Sequence, residues 1–409
     1  MTIFIVAAFT VTYLGMAAGR FPGLQLDRTG IALLAAVALL AAGALPLDQV
    51  AKAIDFPTLA ILFGLMILSA QFAAAGFYDW CASRIAASVG SPVRLLALTV
   101  AAAGALSAIL ANDIVVFAMT PLICSGVRAR RLDVRPFLAG LAGASNAGSA
   151  ATLIGNPQNI LIGQVGHLDF WRFALVCTPP AVVALLLTFV VVLRCWRVEL
   201  RATPGETTQP VTPFDRYQLA KAVVATAILI GLFATPMPRE IAALVVAAGL
   251  LVSRRLTTRE MVGAVDWHLI LLFACLFLVN AALARTGLPA ELLASADVAG
   301  LLPDRLTVLT SFAVLASNTI GNVPAVVMLL SLWPAAPPGA LYGLAVLSTL
   351  AGNLLLVGSV ANLIVAERAA MAGLRFGFAD HARAGVPMAV ISLAVAVAWF
   401  GIGGWLPWR

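Results

Sequence analysis

Most of this chain consists of apolar runs about as long as a bilayer is thick, and four of the apolar segments are interrupted by residues that hydrocarbon does not tolerate. A bilayer core of about 30 Å takes roughly 20 apolar residues per helix. Apolar runs fall near residues 2–18, 29–46, 56–76, 136–165, 171–193, 217–234, 239–253, 267–285, 340–366 and 385–404. Two of these carry polar breaks, at LIGNPQNILIG (Leu153 to Gly163) and LVGSVANLIV (Leu356 to Val365). Two further apolar segments, near 97–127 and 304–335, are broken halfway, at LANDIV (Leu110 to Val115) and SNTIGNVP (Ser317 to Pro324). With 62% hydrophobic and 11% charged residues, against about 25% charged in a soluble domain, the chain reads as an all-α polytopic membrane protein.

A segment broken at its centre by Asn, Gly and Pro reads as a re-entrant hairpin, two half-helices meeting at a polar tip. Such a tip is tolerated only where it is buried in protein or lines a wet cavity. If 97–127 and 304–335 both turn back, the loops between spans sort by charge. Nineteen of the 25 Lys and Arg residues, including Arg20, Arg94, Arg128, Arg130, Arg131, Arg135, Arg194, Arg197 and Arg201, then fall on one face. The other face keeps six: Lys52, Arg172, Arg239, Arg285, Arg305 and Arg409. Because cytoplasmic loops are enriched in basic residues, this places both termini outside the cytoplasm, in a bacterial-type inner membrane. It also accounts for the net charge of +7 without nucleic acid as a partner. The first span lacks a basic residue ahead of it, unlike a secretory signal peptide, and is expected to be kept.

The polar stretch Arg197 to Arg216 divides the chain into a first repeat at 1–193, a cytoplasmic linker at 194–216 and a second repeat at 217–409. Between the halves Asp55 matches Asp266, Gly76 matches Gly287 and Asn112 matches Asn322. After a small gap Leu153, Gly155 and Asn159 match Leu356, Gly358 and Asn362. Each half holds five spans, one re-entrant hairpin and one broken helix. An odd number of spans turns the second copy upside down, the inverted-repeat plan of secondary transporters.

An interrupted helix frees backbone N–H and C=O groups that must find partners. Half-helix N-termini favour anions, while C-termini and unwound carbonyls favour cations. Four breaks paired by a repeat point to one solute held near the midplane. The side chains available are neutral hydrogen-bonders: Asn112, Ser145, Asn146, Ser149, Asn156, Gln158 and Asn159 in the first half, and Ser317, Asn318, Thr319, Asn322, Ser348, Asn353, Ser359 and Asn362 in the second. They suit an anion or a small neutral polyhydroxy species.

Asp113 is the one carboxylate inside an apolar segment; Asp55, Asp266 and Glu367 fall at span ends. An intramembrane acid is by default a functional residue. Asp113 takes up a proton, ligates sodium, or caps a helix at the hairpin tip. Gln158 and Asn353, with Asn112, complete the residues expected near a coupling ion. His167 in an outer loop, His268 near a span start and His381 in a cytoplasmic loop read as ordinary surface histidines, and the five cysteines as small hydrophobes. The absence of HExxH, of GxSxG and of paired acids within the apolar segments argues against a membrane-embedded enzyme, which stays with an anion channel as a remote alternative. Two closed polar tips suit gating at an occluded site better than a continuous pore.

The four broken motifs resemble those of the ion transporter superfamily, which includes arsenite efflux permeases, citrate-type permeases and divalent-anion/sodium symporters. LANDIVVFAMTPL (Leu110 to Leu122) is similar to the Asn-Asp...Thr-Pro hairpin of the arsenite permeases. IGNPQNILI resembles the Gly-Thr-Pro-Pro-Asn break of the dicarboxylate symporters, with Asn156 and Gln158 replacing Thr and Pro. ASNTIGNVP (Ala316 to Pro324) contains their Ser-Asn-Thr triplet, and AGNLLLVGSVANLIV (Ala351 to Val365) resembles their second break. The resemblance implies substrate contact at Asn112, Ser317, Asn318 and Thr319, and ion or substrate contact at Gly155, Asn156, Asn159, Gly358 and Asn362. It implies a moving transport domain and a scaffold that can form a homodimer. It also implies alternating access, of elevator type, with no tightly bound cofactor beyond a coupling proton or sodium ion. The first hairpin departs from the symporters, reading Ala111-Asn112-Asp113 where they carry Ser-Asn-Thr. A carboxylate there repels a dianion, which favours a small anion or oxyanion with cation coupling, or arsenite or antimonite efflux.

Overall fold

A computed structural model describes residues 1–18, 26–87, 91–203, 205 and 213–408. Arg20, Arg409 and most of the polar middle of the proposed linker lie outside the described residues. The first ten helices are α1 (Thr2–Ala18), α2 (Arg28–Ala41), α3 (Leu47–Ala53), α4 (Phe56–Ala74), α5 (Phe77–Ala87), α6 (Pro92–Ile109), α7 (Asn112–Ala129), α8 (Arg135–Ser149), α9 (Pro157–Val165) and α10 (Phe170–Cys195). The next ten are α11 (Arg216–Leu232), α12 (Arg239–Leu251), α13 (Thr258–Gly263), α14 (Trp267–Ala284), α15 (Leu288–Val298), α16 (Leu306–Ile320), α17 (Asn322–Leu332), α18 (Pro338–Ala351), α19 (Val360–Met371) and α20 (Phe378–Ile402). No strand occurs among the described residues.

The order of long and short helices in the first ten recurs in the second ten. A helix of 7 residues precedes one of 19 in the first run, and a helix of 6 precedes one of 18 in the second. Each run ends on its longest helix, 26 residues in α10 and 25 in α20. Both α4 and α14 start on an aspartate whose carboxylate accepts a backbone N–H of the first turn, Asp55 from Thr58 and Asp266 from Leu269. This is the cap that leaves fewest unpaired donors at a helix start.

Among the described residues five helices, α4, α6, α10, α14 and α20, are long and apolar enough to cross a membrane individually, and α1, α2, α16, α17 and α18 are apolar but shorter. The 11-residue helices α5 and α15 were not anticipated from apolar runs. Each is short and carries charge, Asp79 and Arg84 in one and Glu291 and Asp297 in the other, so neither registers as a bilayer-length run. The run 136–165 divides into α8 and α9, and the run 340–366 into α18 and α19. Pro157 occupies the first turn of α9, the helical position where its missing N–H costs nothing.

The helices pack in two groups. In one, α2 lies on α1 and α14, while α4 lies on α11 and α12. In the other, α8 packs against α6, α10 and α19, and α18 packs against α16 and α20. Two buried polar pairs clasp the first group. The Asn280 amide on α14 donates to the Tyr13 hydroxyl on α1 at 2.9 Å, and the Gln71 amide on α4 donates to the Gln218 side chain on α11 at 2.9 Å. Each pair joins the first helix of one run to the fourth helix of the other.

Glycine permits the tightest crossing in the second group. A Cβ built on Gly148 of α8 would overlap the Gly104 carbonyl of α6, so the two backbones touch. Gly148→Ala is expected to force these helices apart at a cost of about 1–3 kcal/mol, the usual penalty for overpacking a core. Thermal unfolding in detergent checks it, and an unchanged midpoint would show that the crossing can relax.

Candidate functional site

The second break and the start of α7 meet at a single side chain, Asn146 in the last turn of α8. Its amide Nδ2 donates to Asn353 Oδ1 at 2.8 Å and to Asn362 Oδ1 at 3.0 Å. Its Oδ1 accepts from Ser359 Oγ at 2.9 Å and from Asn112 Nδ2 at 3.4 Å. Asn146 is fully buried, and the capacity of its amide is used on groups from the first hairpin tip and the second break. On the other side Thr349 of α18 accepts from Asn156 Nδ2 at 3.3 Å and Gln158 Nε2 at 3.2 Å. Each half therefore binds the broken helix of the other.

Local geometry repeats at the two breaks. Asn159 Nδ2 donates to the carbonyls of Ser149 and Thr152, at 3.1 and 3.0 Å. Asn362 Nδ2 donates to those of Gly352 and Leu355, at 2.8 and 3.4 Å. In each break the asparagine satisfies carbonyls that the interrupted helix releases, ten and seven residues upstream. Gly155 and Gly358 sit where the returning chain crosses the end of the preceding helix. A Cβ on Gly155 would overlap the Ser149 carbonyl, and one on Gly358 would lie 2.6 Å from Asn318 Oδ1. Asn156 caps α9 by accepting the Asn159 N–H at 2.9 Å, while its amide donates to Ser149 Oγ at 3.0 Å.

The hairpin tips join unequally. The Asn112 N–H donates to the Gly155 carbonyl at 3.1 Å, tying the first tip to the first break. Ser145 Oγ donates to the Asn112 carbonyl at 3.4 Å and accepts from Ser107 Oγ at 3.0 Å. At the second tip Asn318 bridges to the second break, donating to the Ala351 carbonyl and accepting the Leu355 N–H, at 2.9 and 3.1 Å. Asn322 is buried, and its Oδ1 accepts the Val323 N–H at 2.9 Å without reaching the Asn146 cluster. Thr319 is exposed and bonded to the carbonyls of its own helix. Buried polar atoms beside or within this network that have no partner among the described residues include Asn112 Oδ1, Asn159 Oδ1, Ser317 Oγ, Ser348 Oγ and His381 Nδ1.

Asp113, the second residue of α7, lines a small cavity of about 30 Å³ together with Asn156, Pro157 and Asp266. No basic side chain lines this cavity. Sequence reading found no paired acids because Asp266 lies at the exposed start of α14, far along the chain; α4, which packs against both α7 and α14, brings the two acids to the same cavity. Thr349 was missed for a related reason, since a lone threonine inside an apolar helix carries no signal until its partners are known. His381 is corrected outright. It lies within α20 and is buried, with Nε2 2.9 Å from the Asn353 carbonyl. Helix α20 begins earlier than the apolar run, so a position read as loop falls inside the bundle behind the second break. His167 and His268 are exposed.

A sequence profile of the citrate transporter family, CitMHS, matches residues 7–342. The chain belongs to the citrate transporter family. Among relatives, the inner membrane protein YbiR of Escherichia coli is 34% identical, over 78% of this chain and 81% of its own length. The silicon efflux transporter LSI3 of Oryza sativa is 25% identical over 96% of each chain. Among solved structures, the Alcanivorax borkumensis YdaH transporter superposes with a TM-score of 0.57 at 15% identity, covering 98% of both chains. This CitMHS member is thus a multi-pass membrane transporter and not an enzyme, and it is related to the citrate-type permeases that its motifs resemble.

Proposed function

We propose that this protein is a secondary active transporter that carries a small oxyanion or its protonated acid across the inner membrane. The cluster centred on Asn146 and Thr349 would be its solute site and Asp113 its coupling residue. One observation carries the reading: side chains from both helix breaks and the first hairpin meet at the same buried cluster, which includes orphaned hydrogen-bonding atoms and no charged side chain. Orphaned amide carbonyls accept hydrogen bonds only, so Asn112 Oδ1 and Asn159 Oδ1 suit a solute that carries a donor, as the O–H of a protonated acid does. A fully deprotonated carboxylate offers none. The rice relative's name, a silicon efflux transporter, supports a second reading in which the solute is an uncharged metalloid acid, arsenite or antimonite included, and the direction is outward.

The coupling cation is supported by the shared cavity of Asp113 and Asp266. Two carboxylates facing a small space with no basic neighbour attract a proton or a sodium ion. Movement between the group built on α4 and α14 and the group built on α8 and α18 would supply alternating access of the elevator type. An inverted relation between residues 1–193 and 217–409, with 194–216 as a cytoplasmic linker, would give the two end states similar energies. Both termini would then lie on the non-cytoplasmic side.

Purified protein in sealed proteoliposomes tests the reading. Uphill movement of an oxyanion that saturates with concentration and stops when proton and sodium gradients are collapsed is expected. Flux that never runs uphill under any gradient would return the protein to the channel class. In the same assay Asn159→Ala and Asn362→Ala should each weaken apparent affinity by about tenfold, the scale of one or two lost buried hydrogen bonds. A large effect in one and none in the other would remove one break from the solute site.

A further inference from the structure

The last turn of α10 and the short segment after it carry three arginines that no part of the transport reading uses. Arg194, Arg197 and Arg201 line one surface cleft of about 620 Å³ together with Val93, Leu193 and Leu200. Other arginines nearby are engaged: Arg135 pairs with Asp133 and Asp380, and Arg383 pairs with Glu199. Arg194, Arg197 and Arg201 make no ion pair or hydrogen bond among the described residues. All three are exposed.

The backbone that presents them is held in place. Trp196 is fully buried, and the Arg383 guanidinium lies over its ring at 4.9 Å. Leu200 is buried as well, and its N–H donates to the Trp196 carbonyl at 3.0 Å. A single 3-10 turn, Glu199–Arg201, follows and packs against α6. Arg197 and Arg201 therefore stand over the helix bundle on a folded segment.

What fixes the ligand class is the surface leading to the cleft. Along α10 the residues Leu175, Val182, Leu186 and Val190 are exposed and apolar, spaced at helical intervals that continue to Arg194, with Arg197 just past the helix end. An apolar stripe on a 26-residue membrane-length helix faces acyl chains, and it ends at three unneutralised guanidinium groups. Arginine forks match phosphate oxygens bidentately, and basic pockets between membrane helices bind acidic lipid headgroups. We infer that this cleft binds the phosphodiester headgroup of an anionic phospholipid whose acyl chains lie along α10. The shared chemistry is a phosphate, and the continuous apolar approach selects the lipid over a soluble phosphate.

Lipid-depleted full-length protein in a neutral detergent provides the test. Phosphatidylglycerol or cardiolipin is titrated against phosphatidylcholine, with inorganic phosphate and glycerol 3-phosphate as separate arms, and bound lipid is counted by native mass spectrometry. The wild type is expected to retain the anionic lipids and not the soluble phosphates. The triple variant Arg194→Gln, Arg197→Gln, Arg201→Gln should retain at least about tenfold less, given the contribution of each basic residue near an acidic surface. The triple lysine variant should keep part of the binding, which separates lost charge from misfolding. Equal retention by the wild type and the glutamine variant would overturn the site. Binding of soluble phosphate as tightly as lipid would overturn the lipid assignment.

Discussion

Asn146→Ala should abolish transport while leaving the protein inserted in the membrane. The alanine removes two donated and two accepted hydrogen bonds at once, leaving the Asn353 and Asn362 carbonyls, the Ser359 hydroxyl and the Asn112 amide without their shared partner. An unpaired buried polar group costs about 1–3 kcal/mol, although measured hydrogen bonds between membrane helices average about 0.6 kcal/mol because alternative partners exist. Partial rescue of this kind sets the expected loss of stability at about 2–4 kcal/mol for the whole cluster. Flux should fall by at least about a hundredfold, since the second break and Asn112 lose their common partner. Thermal unfolding and proteoliposome flux, measured on the same preparation, check the two numbers separately. Wild-type flux in the alanine variant would mean that solute is bound elsewhere.

Asp113→Asn should disconnect flux from its driving ion. Asparagine has nearly the same shape and remains compatible with the start of α7, so the link between the Asn112 N–H and the Gly155 carbonyl is expected to survive. What disappears is the charge that, with Asp266, faces a cavity without a basic lining residue. Solute binding should stay within about threefold of wild type, while gradient-driven accumulation falls by about tenfold or more. Accumulation that keeps its full response to proton and sodium gradients would remove Asp113 from the coupling step. The two variants are expected to fail differently: one loses the proposed solute cluster, the other loses only the proposed coupling charge.

The parts of the architecture that were legible beforehand are those in which one residue type has one physical meaning. Gly155, Pro157 and Gly358 interrupt apolar runs where nothing but a broken helix accommodates them, and the breaks lie where the sequence places them. Asn112, Asn156, Gln158, Asn159, Asn353, Ser359 and Asn362 were identified because a carboxamide or hydroxyl in hydrocarbon needs a partner. The partners themselves were not legible. Thr349 and Asp266 lie 193 and 153 residues from Asn156 and Asp113 by their numbers, and no local pattern marks either. Thr319, in the motif that resembles a substrate triplet, is exposed and bonded to its own helix, apart from the buried cluster.

Sequence alone determined that the chain lives in a membrane, that it is helical, and that four of its segments cannot be plain spans. These follow from the cost of placing unpaired backbone groups in hydrocarbon, a local cost that each segment carries wherever it packs. Tertiary structure alone decided that the breaks of opposite halves bind one another through Asn146 and Thr349, that Asp113 shares its cavity with Asp266, and that His381 is buried behind the second break. Those outcomes depend on which helices are neighbours. Neighbours are selected by close backbone contacts such as Gly104 with Gly148 and by buried clasps such as Tyr13 with Asn280, between residues that carry no record of each other along the chain.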